Sequence, residues 1–174
     1  MKAVFLDRDG VINRTLVRDG RPYAPRSLEE FEFLPGVREA IASLKSAGFC
    51  VIVATNQPDV ANGIVTRQLV EAMHGLVQTQ LKVDAIKVCY HIDSDNCACR
   101  KPKPGLLLEA AREHSLDLKR SFMVGDRWRD IEAGIAAGCR TILVGAGYDG
   151  EKKVLGEFSV QSLLEASAVI RGIK

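Results

Sequence analysis

No apolar stretch in this sequence approaches the roughly 20 residues that a membrane span requires. Met1-Lys2 leads straight into a strand-like run instead of a signal peptide, so a soluble, cytoplasmic protein with no membrane partner is expected. Aromatic residues make up only 6% of the chain, too few to line a basic nucleic-acid groove with stacking platforms. Charge of one sign is scarce as well. The 24 Lys and Arg against 22 Asp and Glu leave a formal net charge of +2, which gives no general electrostatic grip on nucleic acid. Any anion must therefore be caught locally. Internal repeats, low-complexity tracts and linkers are missing too, and 174 residues fit a single domain, 1–174, expected to act as a monomer.

Against these absences stands Asp7-Arg8-Asp9-Gly10, placed directly after the apolar run Ala3–Leu6. Carboxylates at i and i+2 of an extended chain point to the same side, and Gly10 permits a sharp exit from the sheet. That arrangement suits covalent catalysis by aspartate. Further short apolar runs, Cys50–Ala54, Ala85–Cys89, Phe122–Val124 and Thr141–Val144, read as strands. Helical periodicity over Val37–Ala47, Thr66–Leu81, Leu106–His114 and Ile131–Ala137 alternates with them, and Ser162–Ile170 reads as a terminal helix. Ala146 to Gly150 reads as loop. Such alternation predicts an α/β fold, a Rossmann-like three-layer sandwich with a mainly parallel central sheet and no cap domain.

Ligands of open α/β sheets bind at the carboxyl ends of the strands, and the chemically informative residues follow strands here. Asp7 and Asp9 follow the first, Thr55-Asn56-Gln57 the second, Cys89-Tyr90-His91 the third and Gly125-Asp126 the fourth. Taken alone, an Asp-x-Asp is a polar turn more often than a nucleophile. The ordered combination reverses that. Asp7 can accept a phosphoryl group as an acyl phosphate, with Asp9 handling protons as acid and then base. Asp7, Asp9 and Asp126 supply the hard oxygen ligands that magnesium prefers, and Asp130 can support its water shell or cap a helix. Thr55, the amides near Asn56 and the charge of Lys101 can receive the phosphate oxygens.

Five cysteines include three, Cys89, Cys97 and Cys99, crowded beside His91. The spacing C-x-H-x5-C-x-C offers a full tetrahedral set for structural zinc within a loop spanning 89–99. A closed site leaves no position for chemistry, so its work would be to brace the loop and aim Arg100 and Lys101 at the substrate. Cys50 and Cys139 read as buried core residues, while His74 and His114 read as surface or helix-end residues.

Together these residues resemble the haloacid dehalogenase superfamily of phosphatases over nearly the whole chain. Asp7 to Asn13 looks like its first motif, Thr55 its second, Lys101 its third and Gly125-Asp126 its fourth. The Cys/His cluster running into Arg100-Lys101-Pro102 resembles the capless subgroup that contains heptose 1,7-bisphosphate 7-phosphatases and histidinol-phosphate phosphatases. This resemblance implies Mg2+ as cofactor, structural Zn2+ and substrate contacts from Asn56, Gln57, Arg100 and Arg127. It also implies a small-molecule sugar phosphate substrate in lipopolysaccharide precursor biosynthesis. The subgroup usually continues its second motif with Ser-Gly-Ile-Ala-Arg-Gly, whereas this chain has Pro58-Asp59-Val60-Ala61-Asn62-Gly63, losing a donor and a cation. Arg18, Arg21, Arg26, Arg100 and Arg127 favour a substrate with a second anion, hence a heptose bisphosphate. Asp93 and Asp95 speak for the cationic amine of histidinol phosphate. The intact aspartate set disfavours a phospho-ligand binding module without activity, and the few aromatics disfavour a nucleic-acid 3′-phosphatase.

Overall fold

The computed structural model describes residues 1–148 and 152–173, so the Asp149-Gly150 end of the expected loop lies outside the described residues. Six parallel strands form the central sheet in the order β5-β4-β1-β6-β7-β8. They are β1 (Lys2–Leu6), β4 (Phe49–Asn56), β5 (Ala85–Cys89), β6 (Phe122–Gly125), β7 (Arg140–Val144) and β8 (Phe158–Val160). A two-stranded antiparallel hairpin, β2 (Leu16–Arg18) and β3 (Arg21–Tyr23), follows β1. The helices are α1 (Val37–Ser46), α2 (Arg67–Leu81), α3 (Gly105–Glu113), α4 (Trp128–Ala137) and α5 (Leu163–Gly172).

Strand periodicity divides the core into two. Val4 and Leu6 of β1 pack with Val51, Val53 and Val124 beneath α1, α5 and the end of α2. Ala3 and Phe5 face the other way, onto Leu106, Leu107 and Ala110 of α3 and Ala137 of α4. A strand buried on both faces reads as continuous apolar sequence, which is why β1 and β4 are visible as uninterrupted runs. Thr66 ends its extended stretch by accepting Leu69 N at 3.2 Å, so α2 begins one residue later than expected.

Several elements differ from the sequence reading. The hairpin escapes it because its strands are three residues long and carry Arg18 and Arg21, although Asp19-Gly20 (φ 51° and 71°) is the turn such a hairpin needs. β8 is equally short, three residues with one of them exposed. Helix α4 starts at Trp128 instead of Ile131 because Asp130 Oδ2 accepts the Arg127 amide at 3.1 Å and secures the first turn. Cys139 is buried, whereas Cys50 is half-buried.

Candidate active site

Asp7 leaves β1 with its amide still bonded to Val124 O at 2.9 Å, fixing the nucleophile candidate between β1 and β6. Gly10 then turns back with φ 86°, and a Cβ there would lie 1.9 Å from Asp126 Oδ2. No other residue fits that approach. Thr55 and Gln57 at the end of β4, Lys101 after the Cys/His loop and Asp126 after β6 are all buried and converge on the same rim. A cavity of about 400 Å³ opens over Gln57, Lys101 and Asp126, lined also by Arg100, Arg127, Arg129 and the hairpin residue Tyr23, with Thr55 beneath its floor.

Lys101 Nζ bridges Asp7 Oδ1 at 2.9 Å and Asp130 Oδ1 at 2.5 Å. Burial would lower its proton affinity, but the two carboxylates outweigh it and hold the ammonium charged. Burial pushes the Asp7 carboxyl up to about 6 against the pull of Lys101, with Asp130 and Asp9 adding repulsion. Asp126 is raised well above the ordinary carboxyl range by burial and then by Asp7 and Asp130. Tyr148 donates to Asp126 Oδ2 at 2.5 Å, while Asp126 Oδ1 is buried without a hydrogen-bond partner among the described residues.

Acceptor oxygens of Asp7, Asp126 and Asp130 all lie within 4.8 Å of one another. An unsatisfied carboxylate oxygen among crowded, desolvated acids is the environment a divalent cation relieves, so these residues fit one. Asp9 is not in that trio. β1 ends at Leu6, so the turn that follows breaks the two-residue alternation that would have aligned Asp9 with Asp7. Its carboxylate faces Arg8 at 3.0 Å, Asn13 Nδ2 at 2.9 Å and Gln57 Nε2 at 2.7 Å. Burial alone would raise it, but Arg8, Asn13 and Gln57 prevail and hold it below its ordinary value.

The expected substrate contacts are partly occupied within the protein. The Asn56 carboxamide brackets the backbone of Lys101, donating to its O and accepting its N, each at 3.1 Å. Gln57 Nε2 reaches Asp9 and, at 2.9 Å, Thr55 Oγ1. Arg100 Nε donates to Asp93 Oδ1 at 2.8 Å, and Arg129 meets the same carboxylate at 2.9 and 3.2 Å. Arg129, Asn13 and Tyr148 have no role in the sequence reading. Asn13 stands inside the first motif, and Arg129 one turn from Asp126 on a basic helix start, but nothing local marks Tyr148. His74 is corrected from the surface to the interior: it is 8% exposed and its Nε2 lies 3.2 Å from Arg8 Nη1.

Cys89, His91, Cys97 and Cys99 come together as the spacing requires. Cys89 Sγ is 3.7 Å from Cys97 Sγ and 3.1 Å from Cys99 Sγ, and Cys99 Sγ is 3.4 Å from both Cys97 Sγ and His91 Nδ1. Zinc–sulfur bonds of about 2.3 Å give tetrahedral edges of about 3.8 Å, so the donor set fits a closed zinc site. Cys97 also accepts the Arg100 amide at 3.4 Å, tying the cluster to the residue before Lys101.

A parallel sheet with an aspartate-lined carboxyl rim, a buried lysine and a fourth-strand Gly-Asp defines a phosphohydrolase of the HAD type. Residues 98–166 match the family described as HAD-hydrolase-like. A D-glycero-beta-D-manno-heptose-1,7-bisphosphate 7-phosphatase of Helicobacter pylori (strain J99) is 41% identical over 78% of this chain and 78% of its own. That of Photorhabdus laumondii is 37% identical over 99% and 96%. The crystal structure of D,D-heptose 1,7-bisphosphate phosphatase from B. bronchiseptica, complexed with magnesium and phosphate, superposes with a TM-score of 0.85 at 34% identity over 100% of both chains. The chain belongs to this family of HAD-like heptose-bisphosphate phosphatases, and it is a phosphomonoester hydrolase.

Proposed function

We propose that this chain is a one-domain, capless phosphatase, 1–174, that removes the 7-phosphate of D-glycero-beta-D-manno-heptose 1,7-bisphosphate. The observation that carries the reading is Asp7 held by Lys101 beside Asp126 and Asp130, under a cavity whose outer wall is Arg100, Arg127 and Arg129. One phosphate meets the aspartates and the other meets the arginines. Asp93 and Asp95 do not offer a receptor for the amine of histidinol phosphate. Asp93 is neutralised by Arg100 and Arg129, and Asp95 Oδ2 accepts the Ile92 amide at 2.9 Å.

In the first step an Asp7 oxygen attacks phosphorus, forming an acyl phosphate while the bond to the sugar oxygen breaks and that oxygen takes a proton from Asp9. Arg8, Asn13 and Gln57 favour the ionised form of Asp9; an approaching phosphate dianion raises its proton affinity and loads it. In the second step Asp9 removes a proton from water, whose oxygen attacks phosphorus and releases inorganic phosphate with Asp7 restored. Thr55 and Lys101 receive the phosphate oxygens throughout, which is where most of the acceleration arises. Asp7 and Asp126, with Asp130 beside them, would hold Mg2+, which would neutralise the charge that gathers as two anions meet. Cys89, His91, Cys97 and Cys99 would hold Zn2+, which would brace the loop that delivers Arg100 and Lys101.

The proposed reaction would serve lipopolysaccharide precursor biosynthesis in the cytoplasm, a reading supported by the resemblance alone. Among the described residues no helix is long and apolar enough to cross a membrane, and neither membrane nor nucleic acid has a part in the proposed reaction. The deciding experiment compares both heptose bisphosphate anomers with histidinol phosphate in magnesium buffer. A preference of tenfold or more for the beta anomer is expected, and an equal or better kcat/KM for histidinol phosphate would refute the assignment.

A further inference from the structure

Arg8 is the largest side chain removed completely from solvent, with 0% exposure. Its guanidinium cannot shed a proton, so such burial persists only where each edge of the fork finds an acceptor. Nε and Nη2 grip the Asp9 carboxylate, Nη2 at 3.0 Å from both oxygens and Nε at 3.2 Å from Oδ1. The remaining corner, Nη1, lies 3.2 Å from His74 Nε2, and the ring of Phe31 lies 5.7 Å from Cζ. Arginine only donates, so Nε2 accepts and the imidazole is neutral with its proton on Nδ1. Burial, then the charge of Arg8, pulls the proton affinity of His74 down to about 4, in keeping with that state.

His74 touches none of the groups that meet phosphate. It arrives from the middle of α2 and lines a separate groove with Arg67, Glu71 and Tyr90. From this geometry we propose that His74 is a positioning residue for proton transfer: by accepting from Nη1 it fixes the plane of the Arg8 guanidinium, and through it the carboxylate of Asp9. A guanidinium is rigid and planar, so anchoring the far corner sets the tilt of the edge that holds Asp9. Without that anchor the fork can pivot, and displacing an acid by about 1 Å from the leaving oxygen costs on the order of a hundredfold in rate. Asn13 and Gln57 hold Asp9 from its other sides, which makes the loss partial.

The inference rests on Asp9 acting as acid and base, and its test separates the two. His74→Leu removes the acceptor, whereas His74→Gln places a carboxamide oxygen near the position of Nε2. With heptose bisphosphate and saturating magnesium, His74→Leu is expected to lower kcat at least tenfold with KM changed less than twofold. His74→Gln is expected to return kcat to within threefold of the native enzyme. Native kcat in His74→Leu, equal losses in both variants, or a loss carried by KM would overturn the positioning role. Should His74→Leu fail to fold, Arg8→Lys keeps the charge and removes the fork, and a native kcat in that variant also overturns it. Asp9→Asn serves as the reference: turnover there would sink the acid-base reading and this inference with it, whereas an inactive Asp9→Asn beside an unimpaired His74→Leu would sink the inference alone.

Discussion

Lys101 Nζ stands between Asp7 and Asp130, 2.9 Å from one carboxylate and 2.5 Å from the other, with both acids and the amine withdrawn from solvent. Removing the cation leaves two buried acids facing each other. Lys101→Met should lower kcat by about three orders of magnitude, through loss of a charge aimed at the transferring phosphoryl group. It should also destabilise the fold by about 3 kcal/mol at pH 7.5. Because burial and repulsion place the Asp7 carboxyl near 6 even with the lysine present, acidification loads protons there and relieves the conflict. The deficit, measured by urea unfolding, should therefore shrink as pH falls toward 5. Asp7→Asn, folded by circular dichroism, should release no phosphate, and retained turnover would exclude the covalent route.

Purified protein should carry one zinc per chain by elemental analysis, and Cys97→Ser should lose it together with about 10 °C in Tm, on the order of 3–4 kcal/mol for a domain of this size. The Arg100 amide bonds to Cys97, so loosening the loop should reach Lys101 and reduce kcat as well. A metal-free protein with full activity would rule out the bracing role.

Arg129 shares Asp93 with Arg100 at the outer wall of the cavity. Arg129→Ala should reduce the preference for heptose bisphosphate over p-nitrophenyl phosphate about tenfold, the scale of a lost charge-assisted contact of roughly 1.4 kcal/mol. An unchanged ratio of the two kcat/KM values would remove Arg129 from the distal anion site.

His74 makes stability depend on pH in a definite sense. Its ordinary value is 6.5 and its folded value about 4, so the unfolded chain binds the proton first. The contribution is complete above pH 6.5 and is lost progressively as pH falls from there toward 4. Between pH 7.5 and pH 5 the native protein should lose about 2 kcal/mol more than His74→Gln, measured by urea unfolding at each pH. Parallel stability curves would mean that the imidazole is not held neutral in the interior.

The sheet is legible in the sequence because its central strands are buried on both faces and write themselves as apolar runs, and the rim follows once each chemical motif is seen to end a strand. Lys101 and Asp126 reach that rim, and Cys89, His91, Cys97 and Cys99 lie together as their spacing suggests. Asp9 is misplaced by sequence reasoning because strand alternation does not extend two residues past Leu6, into a turn where it no longer holds. Its place in the carboxylate trio belongs to Asp130, which a helix start carries back to the rim. His74 is misread for a different reason: a histidine in a helical repeat shows its face only through a partner, and Arg8 lies 66 residues away. Tyr148 and the Asp93 bridge are likewise long-range relationships, and local sequence contains no record of them.

Asp7 and Lys101 are separated by 94 residues, and Asp130 lies 29 further along. A growing polypeptide therefore has no enzyme in it until β6 has slotted in beside β1 and α4 has wound behind it. Turnover in consequence requires β1, the segment that carries Lys101 and the start of α4 to have come together, so liberated phosphate marks variants in which these distant parts of the chain have assembled.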